Sequence, residues 1–117
     1  MNMREISHIE KGLIGRFADK LPDLERQQLL ADLEKASVQN ETRDASSIIF
    51  QIAGYNRPPY QGQHSFGPEG RMLDQDGAEL SVCLYADENG HLLELELIRW
   101  GSGDLLGPLL NTLDVWN

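Results

Sequence analysis

Three glutamates have the spacing at which carboxylates could act together. Glu94 and Glu96 are two residues apart in a Leu-Glu-Leu-Glu-Leu stretch, and Glu79 begins an earlier alternating stretch. On a β-strand, side chains two positions apart share a face at roughly 7 Å, so two of them could serve as general acid and base. An open sheet face, however, lacks the apolar pocket that raises the pKa of one member. A solvated acidic surface, or a surface that docks a basic protein, explains the same residues.

A second group of carboxylates resembles the beginning of a calcium loop. Asp74 and Asp76 precede Gly77, as alternate ligands precede the glycine in such loops. With Gly77 at the sixth position, the first and twelfth ligands would be Met72 and Cys83, and neither side chain suits calcium. The pattern therefore predicts a plain turn between two strands.

The remaining motifs also fail to support a catalytic or cofactor site. Gly101, Gly103 and Gly107 lack the spacing of a nucleotide-binding loop, and Asp104 would repel a phosphate. Cys83 lies among glutamates, which disfavours a thiolate, and the three histidines lack the spacing of metal ligands. We therefore predict no catalytic residue, no cofactor and no metal.

The three glutamates belong to a predicted β-hairpin. Its arms, 78–85 and 93–97, alternate apolar with polar residues, and the Asp-Glu-Asn-Gly sequence between them is typical of a tight turn. The apolar residues of both arms meet on one face only if the loop holds an even number of residues. A four-residue loop pairs Leu84 with Leu93, and a two-residue loop pairs Leu84 with Leu95.

The residues before the hairpin predict two helices, a strand and a long loop. Residues 1–38 form a predicted helical hairpin, with a capping box from Ser7 to Glu10 and with Pro22 as the first residue of the second helix. Residues 39–46 read as a polar connection, and 48–53 as a strand. The loop 54–68 is rich in proline and glycine, and is either functional or a structural wrap over the sheet edge.

The residues that flank the hairpin complete the predicted sheet. Residues 71–73 suit a further strand, and 105–116 suit a short helix or a final strand. The chain of 117 residues is long enough for one domain, with the sheet over 47–117. The single cysteine excludes an internal disulfide, and no apolar run of about 18 residues is present, so the sequence predicts a cytoplasmic protein.

The negative charge is concentrated in the second part of the chain. The formal net charge is −9, and residues 69–117 contribute −8 of it, with ten Asp or Glu against two Arg. A field of this sign repels nucleic acid and anionic membranes, and it attracts a basic protein. Solubility alone is the other interpretation of the same charge.

The hairpin and its flanks resemble a group of small bacterial domains of unknown function, some encoded beside polymorphic or contact-dependent growth-inhibition toxins, where they look like immunity proteins. The matching segments are Asp74-x-Asp76-Gly77, Leu84-Tyr85-x-Asp87-Glu88-x-Gly90-x-Leu92-x-Glu94-Leu95-Glu96 and Arg99-Trp100-Gly101-x-Gly103-Asp104-Leu105. The resemblance implies a protein that binds and blocks a toxin domain. Toxin domains of this kind are often nucleases with basic clefts, which an acidic face would complement.

We therefore expect one α+β domain over 1–117, with two N-terminal helices packed on a mostly antiparallel sheet of three to five strands. The expected function is a non-enzymatic immunity protein that binds a basic toxin domain, and neither nucleic acid nor membrane. A small enzyme that uses the sheet-face carboxylates, or a dimerising structural subunit, is the alternative. The predicted partner-binding residues are Asp74, Asp76, Glu79, Tyr85, Asp87, Glu88, Glu94, Glu96 and Asp104.

Overall fold

The computed structural model describes residues 3–117, and within them it is an α+β fold with two helices and an antiparallel sheet. The elements in chain order are α1 (His8–Ala18), α2 (Asp23–Lys35), β1 (Ala36–Glu41), β2 (Ser47–Ile52), β3 (His64–Ser65), β4 (Glu69–Leu73), β5 (Glu79–Ala86), β6 (Leu92–Arg99) and β7 (Leu109–Trp116). The strands run in the order β1-β2-β6-β5-β4-β7, and β3 pairs with the end of β5. The described residues thus form seven strands, and the expectation of three to five was wrong.

The two strands that the sequence did not indicate are weak in local signal. The β1 sequence, Ala-Ser-Val-Gln-Asn-Glu, follows α2 directly and has one fully buried residue, Val38. It is a strand because it pairs with β2 from Ala36 to Glu41, through a register shift after Val38. The short β3 lies inside the long loop and pairs with Tyr85 and Ala86. Both strands depend on hydrogen bonds to a partner strand, β1 to β2 and β3 to β5.

The two helices begin in different ways, and α1 has the side-chain cap. The predicted capping box is confirmed: the Glu10 N–H donates to Ser7 Oγ (3.1 Å), and the Ser7 N–H donates to Glu10 Oε1 (2.9 Å). The second helix begins at Asp23, and Pro22 is its extended N-cap residue. The prediction that Pro22 is the first helical residue was therefore wrong by one position.

The hairpin of β5 and β6 has the register of the shorter predicted loop. Leu84 lies opposite Leu95, and Val82 lies opposite Leu97. Five residues separate the last pair, Ala86 and Leu92, so the prediction of a loop with an even number of residues was wrong. A bulge beside that pair adds one residue to β6, and this restores the pairing that keeps the leucines together. The hydrophobic pattern therefore sets the register, and the loop length adjusts to it.

One hydrophobic core lies between the helices and one face of the sheet. Leu13 and Phe17 of α1 and Leu29 of α2 share a cluster with buried residues of the strands. Gly70 of β4 lets Phe17 approach closely, because a Cβ there would lie 3.1 Å from its ring and 3.1 Å from Val82. We call the opposite side of the sheet, which faces away from both helices, the outer face.

Both edges of the sheet are partly capped by basic residues near the N-terminus. Arg4 forms a backbone bridge with Val38 of β1, with N···O distances of 3.2 and 2.8 Å. At the other edge, the Arg16 guanidinium donates to the Leu113 carbonyl of β7 at 3.3 Å. Capped edges offer fewer free backbone groups to another strand.

Candidate functional site

The outer face is the largest group of charged and aromatic side chains that the strands bring together. Its residues alternate with the buried ones along each strand. They are Ser47, Ile49 and Gln51 of β2, Glu94, Glu96 and Ile98 of β6 with Trp100 after it, Glu79, Ser81, Cys83 and Tyr85 of β5, Glu69, Arg71 and Leu73 of β4, and Asp114 and Trp116 of β7. Five carboxylates against one guanidinium give the face a charge of −4.

Glu94 and Glu96 lie in the middle of the outer face. Glu96 is opposite Cys83 and Ser47, and Glu94 is opposite Tyr85. The Ser47 hydroxyl donates to Glu94 Oε2 at 3.1 Å. Among the residues that the structure describes, neither glutamate has a basic side chain within ion-pair distance. Partial burial, together with the Glu96 charge, raises the pKa of Glu94.

The polar groups between these glutamates are weak acids. Burial raises the pKa of the Cys83 thiol, and the nearby glutamates add to the effect. Burial also raises the pKa of Tyr85 to about 12. Both groups are therefore protonated at neutral pH, and the thiol lacks the thiolate character that a nucleophile needs.

The outer face also carries both tryptophans of the chain, which the sequence analysis did not select. Trp100 is 57% exposed, and its Nε1–H donates to Ser81 Oγ at 2.8 Å. Trp116 is 40% exposed and lies opposite Glu69. The alternation of β6 continues through Ile98 to Trp100, so extending the pattern beyond residue 97 would have identified this outward position.

Two of the predicted partner-binding aspartates are instead buried. Asp74 is fully buried and accepts hydrogen bonds from the N–H groups of Gln75, Leu106 and Gly107 (2.8, 3.0 and 2.7 Å). Arg99 Nη1 also donates to Asp74, at 2.7 Å from the Oδ2 atom that accepts the Leu106 N–H. Although burial favours the neutral acid, these donors lower the pKa of Asp74. Its carboxylate is occupied within the chain and is not available to a partner.

Asp87 is the second buried aspartate, and it anchors the long loop to the hairpin turn. It accepts hydrogen bonds from the Tyr55 hydroxyl (2.6 Å), from Arg57 Nη1 (2.8 Å), and from the N–H groups of Asn89 and His91. Although burial opposes the change, these bonds lower the pKa of Asp87. Loop 54–68 therefore has a structural role at its Tyr55 end.

Arg57 ties the same loop to two strands. Its Nη2 donates to the carbonyls of Phe50 in β2 and Leu92 in β6, at 2.9 and 2.8 Å. Leu93 is buried nearby and lines a small cavity with residues 57–62. This role of Arg57 could not be predicted from the sequence, because a single arginine in a proline-rich loop has no local signature.

Three further predicted residues lie at the margin of the sheet. Asp76 pairs with Arg99 (2.6 Å) and shares this guanidinium with Asp74, so Arg99 closes the turn. Asp104 pairs with Arg43 at the surface (2.9 Å). Glu88 is exposed in the hairpin turn. Glu79, Tyr85, Glu94 and Glu96 are the predicted residues that lie together on the outer face.

An aspartate–histidine pair joins α2 to the hairpin turn. The buried Asp32 contacts His91 Nδ1 at 3.0 and 3.1 Å and accepts the Leu92 N–H at 3.0 Å. The Tyr55 ring packs on His91, with centroids 4.1 Å apart. Within residues 3–117, no hydroxyl or thiol side chain is hydrogen-bonded to this imidazole. The pair therefore connects secondary-structure elements and does not activate a nucleophile in this arrangement.

A family model for a domain of unknown function matches residues 3–108. The chain belongs to the DUF6984 family. The matched part covers both helices and the strands β1 to β6, including the outer-face residues of β2, β4, β5 and β6. No curated protein and no solved structure matches this DUF6984 chain.

Two further properties of the DUF6984 chain bear on its chemistry. Over residues 3–117, no group of three His, Cys, Asp or Glu side chains is arranged to hold a metal ion. No helix in that range is both long enough and apolar enough to cross a membrane.

Proposed function

We propose that this DUF6984 chain is a non-enzymatic cytoplasmic binding protein whose outer face docks a basic protein. In its most specific form, it is an immunity protein that neutralises a cognate toxin domain. The proposal rests on one observation: an uncovered sheet face with a charge of −4 also exposes Ile98, Trp100 and Trp116. Aromatic residues that are exposed among charges are typical of protein interfaces.

The size of the outer face suits a specific complex. Six strands about 4.8 Å apart span about 24 Å, and strands of five to eight residues extend roughly 17–27 Å. The flat projection is therefore on the order of 500 Å², similar in scale to the roughly 800 Å² of accessible surface that each partner contributes to a standard interface.

The charge of the outer face favours one class of partner. Carboxylates at Glu79, Glu94 and Glu96 attract a basic surface and repel nucleic acid and anionic lipid. They also repel the same face of a second copy, so this surface does not suit a face-to-face dimer. A toxin domain with a basic substrate cleft has the complementary charge, which agrees with the resemblance to immunity proteins.

The two alternatives have less support from the geometry. An enzyme that uses the sheet-face carboxylates needs them in a concave pocket, and the raised pKa of Glu94 is the one feature in its favour. Cavities of about 620 and 460 Å³ are lined by other residues, mainly of the helices and the hairpin turn. A subunit that dimerises through an edge strand needs a free edge, and Arg4 and Arg16 partly cap both edges.

The test uses the product of the gene beside the one that encodes this chain. We expect the two proteins to co-purify, and the neighbouring product to kill cells that lack this chain. Replacing Glu79, Glu94 and Glu96 with Gln should weaken the complex by about 100-fold and reduce its dependence on salt. A matched variant with Gln at Glu5, Glu25 and Glu34, all exposed elsewhere, has the same net charge and should bind within a few-fold of the natural chain.

If both triple variants bind as tightly as the natural chain, the outer face is excluded as the docking surface. Loss of binding in both would show that net charge alone controls the affinity. Failure of the two gene products to associate would remove the immunity function.

A further inference from the structure

We infer that the outer face recognises arginine in particular, by stacking a guanidinium on Trp100 while Glu79 pairs with it. This deepens the proposed function, and rests on it, by specifying the side chain that the basic partner presents. The observation behind it is that each tryptophan of the chain lies beside a glutamate on the outer face.

The two tryptophan–glutamate pairs lie on different strands of the outer face, one on β5 and β6 and the other on β4 and β7. The Trp100 N–H donates to the Glu79 carbonyl at 2.9 Å, which places the two residues side by side. Trp116 lies opposite Glu69 in the register of β4 and β7. The two tryptophans are separated by three strand spacings and about four residues, so they are about 20 Å apart on ideal sheet dimensions. A partner that contacted both pairs would span most of the outer face.

The Trp100 side chain is held in place before any partner binds. Its indole N–H, the one polar group of the ring, is already bonded to Ser81 Oγ at 2.8 Å. The exposed 57% of the residue therefore offers aromatic surface and no unsatisfied donor. An aromatic ring fixed in this way loses little conformational entropy on binding.

Glu79 retains capacity for a cation. Its nearest basic group is Arg71 Nε, at 4.0 Å from Oε1, and both side chains are about half exposed. Arg71 also lies opposite Asp114 in the register of β4 and β7. A guanidinium of the chain therefore already lies beside Glu79 on the outer face. Because 4.0 Å separates Arg71 Nε from Glu79 Oε1, the carboxylate can still form a closer ion pair with a partner.

Arginine fits this arrangement better than lysine does. A guanidinium is planar, stacks on an aromatic face, and donates two parallel hydrogen bonds to a carboxylate. An ammonium is more strongly hydrated and cannot form the two-pronged contact. A tryptophan next to a carboxylate therefore distinguishes two cations that a purely acidic surface would treat alike.

The test compares two peptides of equal length, one of arginine and one of lysine, by titration monitored through tryptophan fluorescence and the indole N–H signals in NMR spectra. We expect the arginine peptide to bind about fivefold more tightly and to perturb the Trp100 signal. Trp100→Leu should reduce the ratio of the two affinities to near one and change the lysine affinity less than twofold. Tyr60→Leu, which removes an exposed aromatic residue from the long loop, should preserve the ratio.

Equal affinities for the two peptides in the natural chain would overturn the inference, as would a preference that survives Trp100→Leu, or binding of neither peptide. If both peptides bind equally and both lose affinity when Glu79, Glu94 and Glu96 are replaced with Gln, the acidic docking surface stands without arginine selectivity. If the arginine preference is found but the neighbouring gene product does not bind, the inference stands and the immunity function fails. Circular dichroism of Trp100→Leu confirms that the variant is folded.

Discussion

Arg99 Nη1 donates a 2.7 Å hydrogen bond to Asp74 Oδ2, and this contact joins the end of β6 to the turn before β5. The contact closes a turn whose aspartates resemble metal ligands in the sequence. Since Asp74 also accepts three backbone N–H groups, its carboxylate organises both the turn and the segment at Leu106 and Gly107.

Replacing Asp74 with Asn should therefore destabilise the fold. Both oxygens of Asp74 accept backbone donors, and an amide would direct its own NH₂ at one of these sites. We expect the free energy of unfolding to fall by about 3 kcal/mol, as measured by urea denaturation. Asp104→Asn, the same change at an exposed ion pair, should cost less than about 1 kcal/mol. Similar values for the two variants would contradict the structural role of Asp74.

Replacing Arg57 with Lys should release the long loop. One ammonium cannot reach the Phe50 and Leu92 carbonyls and the Asp87 carboxylate with the geometry of the guanidinium. We expect a loss of about 2 kcal/mol in the free energy of unfolding. The amides of Asn89 and His91 should exchange faster with solvent, and a protease should cut within 54–68. Arg43→Lys, in an exposed pair, is the control. Faster exchange of the Asn89 and His91 amides in that variant would show that the effect is not specific to Arg57.

Replacing Glu94 with Gln should stabilise the protein at pH 7. Burial raises the pKa of Glu94 in the folded chain, so the folded state disfavours the charged carboxylate. The resulting loss of stability is present when the pH is above the folded pKa. We expect the free energy of unfolding to rise by about 0.5 kcal/mol after allowing for solvent screening. This gain should vanish below about pH 4, where the carboxyl group is protonated in both states. Glu88→Gln in the exposed turn is the control and should leave the free energy of unfolding at pH 7 nearly unchanged. If the gain persisted at low pH, its cause would not be the ionisation of Glu94.

Two glycine substitutions should have opposite effects. Gly15→Ala in α1 meets no atom within 4 Å and should stabilise the helix by about 0.5–1 kcal/mol. Gly70→Ala places a Cβ 3.1 Å from Phe17 and Val82, both buried, and should destabilise by about 1–3 kcal/mol. Thermal unfolding measures both. Stabilisation by Gly70→Ala would mean that the helix and the sheet are less closely packed than the structure shows.

The sequence by itself determined the local features of this protein. The capping box at Ser7 and Glu10 is formed by residues three positions apart, and the structure contains it. The alternation in the hairpin predicted that Leu80, Val82 and Leu84 face the core and that Glu94 and Glu96 face outward, as the structure shows. These predictions succeeded because their physical cause, a capping hydrogen bond or the period of a strand, acts between near neighbours.

Only the tertiary structure decided which acidic residues remain at the surface. Asp74 and Asp87 resemble the exposed aspartates of turns, yet their guanidinium partners, Arg99 and Arg57, are 25 and 30 residues away in the chain. Such a pair forms only when the sheet brings its strands together. The strand β1 is likewise set by its partner, because it has one fully buried residue of its own and depends on pairing with β2. The neighbourhood of Trp100 and Glu79 depends on the pairing of β5 with β6.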